Sequence, residues 1–222
     1  IAQNHSSKEL KVGLRCNFEI NDDSISRFGF DIESDNFTRM FSQISNIDNI
    51  TIDGIHCHFP NRDLQSYNYR ADKILELAKK LFTAPPKYID IGGGFFGKME
   101  ESLKAQFGTP TVEYGEYANL IATKFKAAYQ DCSDDEKPIL LLEPGSAIVA
   151  DTMYFVAKVI DVKEVRGRSV ATSSGSKFNM GLLTSSINMP MKVYSCNDTQ
   201  KRYREIDIVG FTCIESDCLY KG

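Results

Sequence analysis

The stretch Gly54-Ile-His-Cys-His-Phe-Pro-Asn61 and the later stretch Tyr88-Ile-Asp-Ile-Gly-Gly-Gly-Phe-Phe-Gly97 decide how this chain is read. Each is a short apolar run that breaks into histidine or glycine at its C-terminal end. Between them, Ala71 to Phe82 places Ile74, Leu75, Leu77, Ala78, Leu81 and Phe82 on one helical face. A strand, an amphipathic helix and a second strand make a β/α unit, and repeated units make a parallel sheet. Working outward, strand-like runs cover Leu10 to Phe18, Ile52 to Phe59, Tyr88 to Ile91 and Ile139 to Leu142. A second helical pattern covers Tyr114 to Tyr129 through Tyr117, Leu120, Ile121, Phe125 and Ala128.

Beyond about Ala150 the pattern changes. Met153 to Val165, Arg168 to Ser173, Met189 to Tyr194 and Glu205 to Cys213 read as strands joined by turns, without a helix. The expected domains are therefore 1–150, a β/α region, and 151–222, a β-rich region. Four β/α strands are half of an eight-stranded barrel, which takes roughly 250 residues. Half a barrel leaves two bare strand edges, a hazard that natural proteins avoid. The chain also begins at Ile1 rather than Met, so the expectation is a piece of a longer protein with further β/α units before it.

Composition narrows the class. With 222 residues, 42% hydrophobic and 25% charged, the chain can bury a core and is neither disordered, collagen-like nor a disulfide miniprotein. The balance of 26 basic against 30 acidic residues, with the basic ones scattered, gives no electrostatic case for nucleic acid. No apolar run is long enough to span a membrane. Six cysteines (Cys16, Cys57, Cys132, Cys196, Cys213, Cys218) include no C-x-x-C pair, and several lie in apolar runs, so a reducing, cytoplasmic setting is expected.

The chemistry-bearing residues sit at the C-terminal ends of the β/α strands, where barrel enzymes assemble their sites. His56 and His58 alternate with Cys57 and share one strand face. They can be read as metal ligands lacking a third partner at a suggestive spacing, as core histidines, or as a ring lying flat against an aromatic cofactor. Gly92, Gly93 and Gly94 follow a strand without Walker or dinucleotide spacing. They suit either a phosphate cradle or a tight turn. Glu143 emerges from a strand read as buried and apolar, at a Pro144-Gly145 turn, where its carboxylate calls for a buried cationic partner unless it caps the turn. Gly210 to Asp217 carries Cys213, Glu215 and Asp217, either a site or a solvated turn.

These elements, with Ser26-Arg-Phe-Gly29 and in this order, resemble the fold-type III pyridoxal phosphate decarboxylases, which include diaminopimelate, ornithine and carboxynorspermidine decarboxylases. The resemblance runs from about Lys11 to Gly222. It implies part of an alanine-racemase-like (β/α)8 TIM barrel followed by a β-rich C-terminal domain, pyridoxal 5'-phosphate as cofactor, and decarboxylation of an amino acid. By that resemblance His58 stacks on the cofactor ring, and Gly92, Gly93, Gly94 and Gly145 offer amides to its phosphate, with Asn61 and Ser146 at neighbouring positions. Glu143 pairs with the pyridine nitrogen, and a protonated ring is the electron sink for the departing carboxylate's electrons. Cys213 returns a proton to the α-carbon, and Glu215 and Asp217 contact substrate. The resemblance also implies a homodimer in which the Cys213 segment completes the partner's site.

The departures from the family pattern matter too. No segment matches the one carrying the Schiff-base lysine. The usual Gly-Ser is Pro60-Asn61, and the usual arginine after Glu-Pro-Gly is Ser146. Ile214 follows Cys213 where an acid is common. Ser173-Ser-Gly-Ser176 lacks the acid that holds a distal amine in diamine-handling relatives, which points to a substrate with a bulkier or differently charged tail. Two alternatives keep the resemblance and change the function: an amino-acid racemase of the same fold, which the acid at the pyridine position disfavours, and a catalytically inactive decarboxylase-like regulator.

Overall fold

The computed structural model describes residues 4, 7–20, 26–181, 187–195 and 205–222. It divides into two units, one of residues 1–97 and 111–150 and the other of residues 98–110 and 151–222.

The first unit is a parallel sheet of five strands: β1 (Leu10–Asn17), β2 (Phe30–Asp31), β3 (Ile50–His56), β4 (Tyr88–Asp90) and β5 (Ile139–Leu141). Apart from the two-residue β2 on the far side of β1, spatial order follows chain order, β1-β3-β4-β5. Such stepwise winding is how a (β/α) barrel grows, whereas a doubly wound sheet reverses direction. The core lies where strand and helix faces meet: Leu14, Cys16, Ile55, Cys57, Ile89 and Ile91 from the strand segments against Ile74, Leu75, Ala78, Ile121 and Phe125. Burial pushes the Cys16 and Cys57 thiols up to about 12, so both behave as small hydrophobes.

The helix read from Ala71 onward begins earlier, as α2 (Leu64–Leu81), because Asp63 caps it by accepting the Ser66 N–H at 2.8 Å. Helix α4 (Tyr114–Ala128) starts at a capping box between Glu113 and Glu116. Helix α1 (Asp35–Ser45) was not expected, although Phe37, Met40, Phe41 and Ile44 recur at helical spacing. Strand β5 corrects another expectation. It lies at the sheet edge rather than in the interior, and Ile139, Leu141 and Leu142 are exposed because no strand pairs beyond it among the described residues. The unit also holds the single turn α5 (Ser146–Val149).

The second unit holds the short α3 (Glu101–Lys104) and a mixed sheet in the order β6-β7-β8-β9. Strands β6 (Val159–Val165) and β7 (Arg168–Ser173) form a hairpin whose turn places Arg166 and Gly167 at positive φ. Strand β8 (Asp207–Val209) runs parallel to β7 and antiparallel to β9 (Cys218–Tyr220). The runs beginning at Met153 and Glu205 are shorter than read. Met189 to Tyr194 forms no strand at all: it has no ladder partner among the described residues, and Val193 and Tyr194 are largely exposed. A short α6 (Lys177–Met180), capped by Ser176, adds helix where none was read. Cys196 lies outside the described residues. Among those described, no helix is long and apolar enough to cross a membrane.

Candidate functional site

Parallel neighbours end side by side, so the segments after β3, β4 and β5 meet. Hydrogen bonding continues past the strands: Cys57 N–H donates to the Asp90 carbonyl at 2.9 Å, Ile91 N–H to Leu141 at 3.2 Å, and Glu143 N–H to Gly92 at 3.0 Å. These bonds hold His58, the glycine run and Glu143 in lateral register. Alternation along the strand sends Cys57 into the core and leaves His56 and His58 on the opposite face.

Glu143 Oε2 lies 3.6 Å from His56 Nε2 and 3.9 Å from His58 Nδ1. The expectation of a buried carboxylate with a buried cationic partner is corrected: Glu143 is half-exposed, and among the described residues its close ion-pair neighbours are two imidazoles at a partly open edge. His58 Nδ1 accepts the Gly93 N–H at 3.0 Å. An accepting Nδ1 carries no proton, which places the ring proton on Nε2. Burial lowers the His58 pKa from its ordinary 6.5, helped by the charges of Arg15 and Arg70 and opposed by Glu143. The result is a neutral, half-exposed imidazole with a fixed tautomer.

The glycine run is demanded by packing. Gly92, at φ 73°, has no room for a Cβ, which would meet the Cys57 carbonyl at 2.5 Å. A Cβ on Gly93 would fall on the Glu143 carbonyl oxygen. The Gly92 N–H donates to Asp90 Oδ1 at 2.8 Å and the Gly93 N–H to His58, which leaves the Gly94 N–H without an acceptor among the described residues. Gly145 precedes α5, and the hydroxyl of Ser146 accepts from Arg62 Nη1 at 3.5 Å. Asn61 accepts through its carbonyl from Arg70 Nη2.

Three side chains here were missed in the sequence. Arg70 is wholly buried, donating also to Ser66 Oγ at 3.0 Å and to the Gly93 carbonyl at 3.4 Å. Tyr67 donates to the same Gly93 carbonyl at 2.6 Å and packs in a ring cluster with Phe95 and Tyr117. Arg62 brings a guanidinium to Ser146, where the family pattern has its own arginine. The signal for the first two was their spacing, since Arg70 and Tyr67 continue the apolar face of Ile74 one turn and two turns toward the N-terminus. His56, Asp90 and Glu143 also present ligand atoms within 4.8 Å of one another, a grouping that takes in His56 without His58 and that linear spacing did not reveal.

In the second unit, Cys213 and Glu215 sit exposed on one turn. Asp217 is only 2% exposed. Its carboxylate accepts from Ser176 Oγ (2.9 Å), Lys177 N–H (2.9 Å), Thr212 N–H (3.3 Å) and Thr212 Oγ1 (2.6 Å). Burial works to raise its pKa, but these four donors outweigh it and hold the group below its ordinary 3.8. Asp217 thus ties the Ser176 turn to its own through protein donors.

Residues 1–150 match the family described as pyridoxal-dependent decarboxylase, pyridoxal binding domain. A diaminopimelate decarboxylase of Archaeoglobus fulgidus is 24% identical over 96% of this chain and 51% of its own length. A Staphylococcus aureus 2-[(L-alanin-3-ylcarbamoyl)methyl]-2-hydroxybutanedioate decarboxylase is 29% identical over 76% of this chain and 42% of its own. Helicobacter pylori diaminopimelate decarboxylase, solved with L-lysine, shares the fold at a TM-score of 0.76 and 20% identity, covering 99% of this chain and 53% of that one. The chain spans about half the length of the curated relatives it matches.

Proposed function

This chain belongs to the pyridoxal-dependent decarboxylases, its match covering the pyridoxal-binding domain, and on that premise we propose that the whole protein decarboxylates an amino acid with pyridoxal 5'-phosphate. The observation that carries the reading is the meeting of His58, Gly93 and Glu143, three motifs far apart in sequence, at the ends of adjacent strands.

The residues fit the cofactor. Glu143 has acceptor capacity open toward solvent, His58 presents a neutral ring, and Gly94 an unused N–H. When bound, pyridoxal phosphate supplies the electron sink for carboxylate loss. Glu143 holds the proton on the pyridine nitrogen, and its place beside two histidines keeps it aimed. His58 stacks on the ring, with its Nδ1 tied back to the glycine loop so that the plane cannot turn. Gly94, Gly145, Ser146 and Asn61 surround the phosphate, Gly92 and Gly93 serving as the packed base of that loop.

In this reading residues 1–150 are the cofactor-binding part of the barrel and 151–222 belong to the β-rich domain. Cys213 returns a proton to the substrate α-carbon and Glu215 contacts the substrate. Asp217, with its acceptor sites filled, anchors the turn that carries them. The exposure of Cys213 and Glu215 suits a homodimer in which each turn completes the partner's site. The protein works in the cytoplasm, consistent with five unpaired cysteines among the described residues. The substrate is an amino acid whose distal group differs from a simple amine, which suits the two different substrates named for the relatives.

The test is carbon dioxide release by the full-length gene product, with and without pyridoxal phosphate, over diaminopimelate, ornithine, lysine, carboxynorspermidine and acidic or carboxylated amino acids. Cofactor-dependent release from one of them supports the reading. Loss of α-carbon configuration without carbon dioxide would move the assignment to a racemase, and failure to bind the cofactor would leave a regulator.

A further inference from the structure

Arg70 is the least explained group in the molecule. It is wholly buried, yet among the described residues no carboxylate oxygen lies within 4.0 Å of it. Asp63, an acid whose charge reaches it, is engaged in capping α2. A buried cation without a counter-charge is costly, and an arginine does not escape by deprotonating.

Its hydrogen bonds show where the charge is directed. Arg70 grips the carbonyls of Gly93 and Asn61, from the two loops that follow β4 and β3. Each carbonyl shares a peptide with the next residue's N–H, that of Gly94 in one case and Arg62 in the other. No peptide bond among the described residues is cis, so these two N–H groups point away from Arg70. Neither has an acceptor among the described residues. Donation to a carbonyl polarises the whole peptide and makes its N–H a stronger donor. The Arg62 guanidinium, 3.5 Å from the Ser146 hydroxyl, adds a second positive charge nearby.

We propose that Arg70 is the buried counter-charge of the cofactor's phosphate, polarising the Gly93–Gly94 and Asn61–Arg62 peptides from behind so that the Gly94 and Arg62 N–H groups bind a phosphate dianion. This rests on the cofactor reading above and adds a positioning residue to it: Arg70 never touches the phosphate. It also accounts for a site that functions with Pro60-Asn61 and Ser146 in place of the family's usual phosphate contacts, because the charge comes from helix α2 instead.

The experiment compares two ligands differing only in the phosphate. Equilibrium dialysis of the full-length protein measures the affinity for pyridoxal phosphate and for pyridoxal in wild type, Arg70→Met and Arg70→Lys. Arg70→Met is expected to weaken pyridoxal phosphate by about tenfold or more and pyridoxal by less than about threefold, the selectivity of a lost charge-assisted interaction. Arg70→Lys should recover part of the phosphate-specific loss. Equal losses for both ligands, or none, overturn the proposal, since a merely structural arginine would not distinguish them. Should Arg70→Met not fold, the wild type decides: inorganic phosphate must raise its unfolding temperature above that in chloride of matched ionic strength, and no rise overturns the proposal. A wild type stabilised by inorganic phosphate that takes up neither pyridoxal ligand keeps Arg70 as an anion-site residue and removes the cofactor reading instead.

Discussion

Glu143 in the parallel unit and Asp217 in the mixed-sheet unit are both acids placed just outside a strand, and they are used in opposite ways. Asp217 is 2% exposed and takes hydrogen bonds from four donors. Glu143 is half-exposed, and its near neighbours are two imidazoles at 3.6 and 3.9 Å. A carboxylate has about four acceptor positions. Asp217 has filled them within its own unit and so holds structure together, whereas Glu143 has kept them open for something the chain does not itself provide. Counting filled acceptor positions separates an anchoring acid from one that awaits a ligand, even where both stand in equally suggestive sequence.

The comparison can be broken most decisively at Glu143. In the full-length protein Glu143→Ala is expected to cut turnover by about a hundredfold or more, the scale of losing one well-placed electrostatic partner, while thermal unfolding stays close to wild type. Wild-type turnover would show that the open carboxylate is idle. Asp217→Ala should do the reverse. Each buried donor left without an acceptor costs about 1–3 kcal/mol, so a loss on the order of 3 kcal/mol is expected by denaturant unfolding. An unchanged midpoint would show that water replaces the carboxylate freely. Cys213→Ala probes the turn Asp217 anchors: turnover should fall by about a hundredfold, the low end for a positioned proton donor, with stability untouched. Equal rates and products would place the thiol outside the chemistry.

The smallest effect is a separation in pH. His58 has a folded pKa below 6.5. Below that pH the unfolded chain takes up a proton that the fold refuses, so stability declines as pH falls from 6.5 toward the folded value. Asp217 has a folded pKa below 3.8, so its contribution is complete above 3.8 and is lost only as pH falls further. Denaturant midpoints measured against pH should therefore show two acid limbs. His58→Gln is expected to remove the first and Asp217→Asn the second; a single limb surviving both substitutions would contradict the contrast.

Much of the parallel unit was legible because its strands are short apolar runs and α2 and α4 are amphipathic. Helix α1 carries a helical pattern in Phe37, Met40, Phe41 and Ile44, a shorter signal than those of α2 and α4. The mixed sheet was less legible. Strand-like composition over Met189 to Tyr194 says nothing about whether a partner lies alongside, and ladder bonds exist only between segments. For the same reason Ile139-Leu-Leu-Leu142 reads as an interior strand, while its burial depends on what pairs beyond β5.

The order of motifs, the alternation that puts His56 and His58 on one face, and the glycines that let strand ends approach were set by sequence, because each depends on local geometry or residue size. Tertiary structure alone decided the tautomer of His58, the pairing of Glu143 with two histidines, and the saturation of Asp217. It also decided that a buried Arg70 stands behind two loops with its charge unanswered. Those are properties of pairs of groups distant along the chain, and hydrogen bonding and burial act on distance in space.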